Sequence, residues 1–89
     1  MNTYNLYIGS SNLTHELELS KIKAIIAIYF KGYTLQKVSG VWEGKAENTA
    51  MVTIATDEKS IINKLAGHLK TALKQDAIMV QLTGTALFV

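Results

Sequence analysis

MVTIATDEKSIINKLAGHLKTALKQDAIMVQL, residues 51–82, holds two extended segments separated by an amphipathic helix. Val52 and Ile54 alternate with less apolar neighbours, as in a strand. Asp57 is placed to cap the helix that follows. The apolar side chains of that helix recur at three- and four-residue intervals, the spacing of one buried face: Ile61, Ile62, Leu65, Ala66, Leu69 and Leu73. A second extended segment occupies residues 77–82, so the stretch predicts a β-α-β unit.

The residues before this unit predict a second one. Residues 4–8 alternate and end at a Gly-Ser-Ser-Asn turn, which predicts a strand. Helical spacing runs from Leu19 to a stop at Gly32, and residues 33–38 favour a strand joined to the next one through residues 39–47. The order β-α-β-β-α-β predicts one domain over the whole chain, an α+β ferredoxin-like sandwich. It has a four-stranded antiparallel sheet with both helices on one face.

The other face of the sheet is expected to need cover. In the last strand, Ile78 and Val80 are assigned to one face and Ala77, Met79 and Leu82 to the other, so both faces carry apolar groups. The 89-residue chain contains no Cys, so neither a disulfide nor a cysteine zinc site supports its small core. We therefore expect several copies to pack their open sheets together.

Composition argues against several partners. The chain has nine Lys, no Arg and a net charge of +2, too weak and scattered for a nucleic-acid partner. The sequence has neither a signal-peptide pattern nor a long apolar segment, so no association with a membrane is expected. The absence of Cys fits the cytoplasm. His15 and His68 stand apart from any metal-binding pattern and are expected to be exposed. Phosphate-binding and dinucleotide-binding glycine motifs are absent, so neither a metal nor another cofactor is expected.

Two short stretches are candidates for a binding site. Residues 40–47, GVWEGKAE, place the only Trp and the carboxylates of Glu43 and Glu47 among glycines, which let backbone approach a ligand. An ordinary hairpin connection with Trp42 at the core edge is the alternative. Gln75 and Asp76 follow the second helix, where polar groups also satisfy helix carbonyls or turn amides.

A motif of RNA-binding domains is only partly present. Leu6-Tyr7-Ile8-Gly9 looks like the first short motif of RNA-recognition domains, which share the β-α-β-β-α-β order. The partner strand over residues 50–54 lacks the basic residue and the aromatics that such domains use. Tyr7 is therefore interpreted as an ordinary sheet residue.

Taken together, the two candidate stretches resemble the phage-encoded S-adenosylmethionine (SAM) lyases. The resemblance rests on Gly40-x-Trp42-x-Gly44-x-x-Glu47, then Val52-x-Ile54, then a helix that ends in Gln75-Asp76-Ala77-Ile78-x-Val80. It covers roughly residues 40–89. It implies a sandwich like that of the GlnB or PII superfamily, assembled as a homotrimer with active sites between subunits. It also implies cleavage of SAM to 5′-methylthioadenosine and homoserine lactone, which deprives host restriction-modification systems of their cofactor.

The resemblance also implies roles for particular residues. Glu47 and Gln75 would be the catalytic pair, with Glu43 competing for the first role. Tyr33 or Trp42 would stack on adenine or line an apolar wall, with plain core packing as the alternative for each. Glu43 and Asp76 would help to bind substrate. Two other functions stay open: a PII-like sensor that binds a nucleotide-type ligand without turnover, and a module whose open sheet binds a host protein.

Overall fold

One four-stranded sheet and two helices make up the computed structural model, which describes residues 1–11 and 13–88. In chain order the elements are β1 (Asn2–Gly9), α1 (Leu19–Tyr29), β2 (Thr34–Trp42), β3 (Lys45–Thr56), α2 (Lys59–Ala72) and β4 (Met79–Thr85). The strands lie in the order β2-β3-β1-β4, and each neighbouring pair is antiparallel. The predicted α+β ferredoxin-like sandwich is confirmed.

The core lies between one face of the sheet and the two helices. Alternate residues of β1 and β3 point into it because side chains along a strand alternate between faces. The helices contribute the stripes that their three- and four-residue spacing predicts. Its members are Tyr4, Leu6, Ile8, Ala50, Val52 and Ile54 from the strands, Ile22, Ile25 and Ile26 from α1, and Ile62, Leu65, Leu69 and Leu73 from α2 and its end.

The connection between β2 and β3 is much shorter than predicted. The two strands stay paired as far as Trp42 and Lys45, so that Glu43 and Gly44 alone form the turn. Both turn residues have positive φ, 51° and 77°, as the tightest hairpin turns require. The predicted connection over residues 39–47 is therefore wrong, and most of that stretch lies in the sheet.

Two predicted details at the helix ends are also wrong. Glu58, not Asp57, precedes the first turn of α2, and no side chain caps it. Asp57 instead lies 3.9 Å from the amino group of Met1. The first helix ends at Tyr29, before Gly32.

The predicted exposure of His68 is wrong as well. This residue is half-buried, and its Nδ1 lies 2.9 Å from the Tyr29 hydroxyl, a contact that joins the two helices.

The sheet face opposite the helices is a mixed polar and apolar surface. Thr53 donates to the Asn5 side-chain oxygen at 2.8 Å, and the Tyr7 hydroxyl donates to Gln81 at 3.2 Å. Met79 lies beside them, because it pairs with Tyr7. Leu82 pairs with Tyr4 and so shares the helix-side face with Val80, which corrects its predicted side. We refer below to the surface opposite the helices as the open face.

The two helices are short. Neither of them, within the residues that the structure describes, combines the length and the apolar character needed to cross a bilayer.

Candidate functional site

A cavity of about 640 Å³ opens on the open face of the sheet, at the end that carries the β2–β3 turn. It lies between this hairpin and the segment that connects α2 to β4. Trp42, Glu47, Gln75 and Asp76 all line it. The fold therefore brings the two candidate stretches of the sequence together, although they lie far apart along the chain.

The side chain of Glu47 extends over β1 because Gly9 of that strand has no side chain. Glu47 pairs with Gly40 of β2 and lies on the open face of β3. A Cβ atom added to Gly9 of β1 would lie 2.6 Å from Oε1 of Glu47, a separation that real Cβ atoms do not tolerate. The bare backbone of Gly9 thus gives the half-buried carboxylate its place.

The end of α2 sets the position of Gln75. Lys74 has a left-handed φ of 53°. Its amide donates to the Thr71 carbonyl, while the amide of Gln75 donates to the Lys70 carbonyl at 3.0 Å. This pair of bonds is the Schellman arrangement that ends many helices.

The side chain of Gln75 is then fixed by the loop that follows β1. Its Nε2 donates to the backbone carbonyl of Ser10 at 3.1 Å, which ties the loop after β1 to the loop after α2. That bond uses one amide hydrogen. The amide oxygen of Gln75 is left to accept a hydrogen bond from a ligand.

The cavity combines an apolar wall with negative charge. Trp42 is 53% exposed on the open face, and Val38, Ile78 and Met79 add further apolar surface. Glu47 and Asp76 supply carboxylates, and no Lys or His is among the described residues that line this cavity. Such a site suits a ligand that carries both an aromatic ring and positive charge.

Two predicted site residues lie elsewhere. Tyr33 is partly buried and packs against the core. Glu43 is exposed in the turn between β2 and β3. Neither of them lines the cavity, so Glu47 is the carboxylate of this stretch that does.

One residue that the sequence did not single out, Thr49, also belongs to the site. Thr49 lines the cavity two residues after Glu47, and Gly9 and Gly40 form part of its floor. Period-two alternation along β3 is the signal that would have placed Thr49 beside Glu47. A smaller cavity of about 240 Å³, lined partly by His15 and Asn48, shares Glu47 with the larger one.

Metal ligands do not gather in the described part of the chain: no three His, Asp or Glu residues there are close enough to hold one ion.

Among solved structures the chain is similar to a phage SAM lyase in its apo state. The TM-score is 0.72 at 19% sequence identity, and the match covers 98% of this chain and 84% of the other. No protein-family model matches the sequence, and no curated protein matches it either. At this identity the likeness establishes a shared fold.

Proposed function

We propose that this protein is a SAM lyase, which cleaves S-adenosylmethionine to 5′-methylthioadenosine and L-homoserine lactone. The observation that carries the proposal is the cavity, where Trp42 offers an aromatic surface beside the carboxylates of Glu47 and Asp76. SAM joins an adenine ring to a sulfonium and an ammonium, so its shape and its charge complement this lining. The shared fold with a phage SAM lyase supports the same reaction.

In this reaction the main task of the protein is to position the substrate. The substrate carboxylate attacks its own γ-carbon, the bond from that carbon to sulfur breaks, and the electron pair stays on sulfur. The products are a neutral thioether and a lactone, and no proton has to move in this step. Holding the carboxylate in line with the carbon–sulfur bond is therefore the main catalytic task.

Charge sets the role of Glu47. Because the sulfonium and the attacking carboxylate both lose their charge, a dry site favours the transition state over the bound substrate. A side-chain carboxylate held against the sulfonium would stabilise the substrate instead and slow the reaction. We therefore assign Glu47 to the ribose hydroxyls or the ammonium group, and Gln75, fixed by Ser10, to orienting the methionine end.

The same charge argues against a sensor of anionic nucleotides. Phosphate groups are bound in proteins by basic side chains or by helix N-termini. The described lining of the cavity contains two carboxylates and no basic side chain. A PII-like sensor of this type would therefore have to bind its phosphates against like charge.

We also propose the assembly and the biological setting. Several copies, in a homotrimer, would pack their open faces together and close the cavity with a neighbouring subunit. The enzyme would act in the cytoplasm of an infected host, where loss of SAM starves restriction-modification systems. Sedimentation of the purified protein as a monomer would contradict the assembly and leave the cavity open to water.

The decisive experiment is incubation of the purified, metal-free protein with SAM, followed by chromatography. We expect 5′-methylthioadenosine and homoserine lactone to appear in equal amounts. Glu47→Gln and Gln75→Ala should lose most of the turnover while keeping the oligomeric state of the wild type. Absence of product after prolonged incubation would refute the lyase, and full activity in both variants would refute the site.

A further inference from the structure

We infer that the Thr49 hydroxyl binds the adenine base of the substrate, and that the cavity has a base end and a charged end. This inference rests on the proposed function and adds to it the direction in which the substrate lies. It starts from an unsatisfied polar group. Thr49 is only 7% exposed and lines the cavity.

The hydroxyl of Thr49 has no hydrogen-bond partner among residues 1–11 and 13–88. Every wholly buried side-chain polar atom in this part of the chain has a hydrogen-bond partner. The hydroxyl must therefore reach open space, and the cavity that Thr49 lines provides that space. A hydroxyl held in so buried a side chain gains from a ligand that completes its hydrogen bonding.

The direction of the hydroxyl comes from a glycine on the neighbouring strand. A Cβ atom added to Gly40 would lie 2.7 Å from Oγ1 of Thr49, so the hydroxyl leans towards β2. The carboxylate of Glu47 leans the opposite way, over Gly9 of β1. Two polar groups on the same face of β3 thus point into opposite halves of the cavity.

The two halves differ in chemistry. On the β2 side, Val38 and Trp42 flank Gly40 on the same face of the strand, since side chains alternate along it. A flat ring can lie there against the indole and over bare backbone. The hydroxyl of Thr49 can donate to a ring nitrogen or accept from an amine of that ring.

The other half suits the aminoacyl end of the substrate. It holds the carboxylate of Glu47 on the β1 side, with Gln75 fixed nearby through its bond to Ser10. Glu47 can pair with an ammonium group. The substrate therefore lies with adenine against β2 and its methionine end towards β1.

The test uses ligands that carry the base without the charged end. Binding of 5′-methylthioadenosine is measured by calorimetry, and adenine is measured by its displacement of that ligand. Thr49→Val keeps the shape of the side chain and removes the hydroxyl, and Thr49→Ser keeps the hydroxyl. We expect Thr49→Val to weaken both ligands by the same factor, about 3- to 10-fold, and Thr49→Ser to stay within about 2-fold of the wild type.

A structural role is separated from a binding role by kinetics and by unfolding. For SAM cleavage, Thr49→Val should raise KM by that same factor with kcat unchanged, because the hydroxyl holds the base equally in both states. Its unfolding midpoint should be no lower than that of the wild type, because the hydroxyl has no partner within the protein to lose. Unchanged binding of both ligands by Thr49→Val would overturn the inference. Weaker binding of 5′-methylthioadenosine with unchanged binding of adenine would also overturn it, because the hydroxyl would then contact the ribose.

The inference and the proposed lyase fail in different ways. The wild-type protein could bind adenine and 5′-methylthioadenosine with the expected dependence on Thr49 and yet release no product from SAM. That result would refute the lyase and support the contact between Thr49 and the base. If the wild-type protein binds neither ligand, the inference that Thr49 contacts the base is overturned.

Discussion

Replacing Gly9 with alanine should disable the site through Glu47 while leaving the fold in place. The added methyl group would lie 2.6 Å from Oε1 and 3.1 Å from Cδ of Glu47. Ordinary contact begins near 3.4 Å, so the carboxylate oxygen would have to move by about 0.8 Å. The crowded atoms belong to the end of a flexible side chain, which can rotate away. The strand itself is therefore under little pressure to shift.

The expected loss follows from that displacement. A misplacement of about 1 Å in a group that orients the substrate can cost about 100-fold in rate. We therefore expect Gly9→Ala to lower kcat/KM for release of 5′-methylthioadenosine by about 10- to 100-fold. Thermal unfolding should change little, because the side chain gives way and the backbone stays.

Gly67 provides the matched control. It lies in α2 with no atom within 4 Å of an added Cβ. Gly67→Ala should keep full turnover and gain about 0.5–1 kcal/mol of stability from its helical position. In a Glu47→Asp background, whose shorter carboxylate no longer reaches as far over Gly9, Gly9→Ala should cost much less than it does alone. Wild-type kcat/KM in Gly9→Ala would refute the proposed position of Glu47.

Three further predictions concern stability and the limits of the site. Lys74→Gly should raise the free energy of unfolding by about 0.5–1 kcal/mol in chemical denaturation, because glycine removes the left-handed strain at the end of α2; equal or lower stability would contradict this. Glu43→Asn should stabilise the tight turn by about 0.5 kcal/mol and leave SAM cleavage unchanged, since Glu43 does not line the cavity; lost turnover would return Glu43 to the site. Tyr29→Phe should cost about 1 kcal/mol in thermal unfolding, because half-buried His68 loses its partner, and an unchanged midpoint would show that this bond contributes little.

Periodicity predicted most of the fold because it depends on local spacing. Alternating and helical patterns are written into each segment, and right-handed crossovers leave few ways to connect β-α-β-β-α-β. The full length of the β2–β3 hairpin escaped prediction because its strands contain glycine and charged residues where β-branched ones are typical. The extent of those strands is set by their pairing, from Thr34 with Thr53 to Trp42 with Lys45, which no local pattern records.

The candidate site was only partly predictable for a similar reason. Glu47, Trp42 and Gln75 stood out as unusual residue types in their surroundings. Thr49 did not, because nothing in the sequence separates it from the other threonines of β3. Its direction depends on Gly40, which becomes its neighbour only when β2 and β3 pair in this register.

Glycine placement explains why the cavity lies at this end of the sheet. Glycine inside a strand costs about 0.5–1 kcal/mol relative to alanine, so bare strand positions weaken a sheet. Gly9 and Gly40 flank β3 on its two sides, beside Glu47 and Thr49. Farther along the open face, the hydrogen-bonded side chains of β1, β3 and β4 fill the space above the backbone. Only where both neighbours lack side chains can two polar groups of β3 lie flat in opposite directions and leave room for a ligand above them. An alanine at Gly9 should therefore damage binding more than it damages folding, because the flexible end of Glu47 gives way, which is opposite to the expectation for a glycine that serves only a turn.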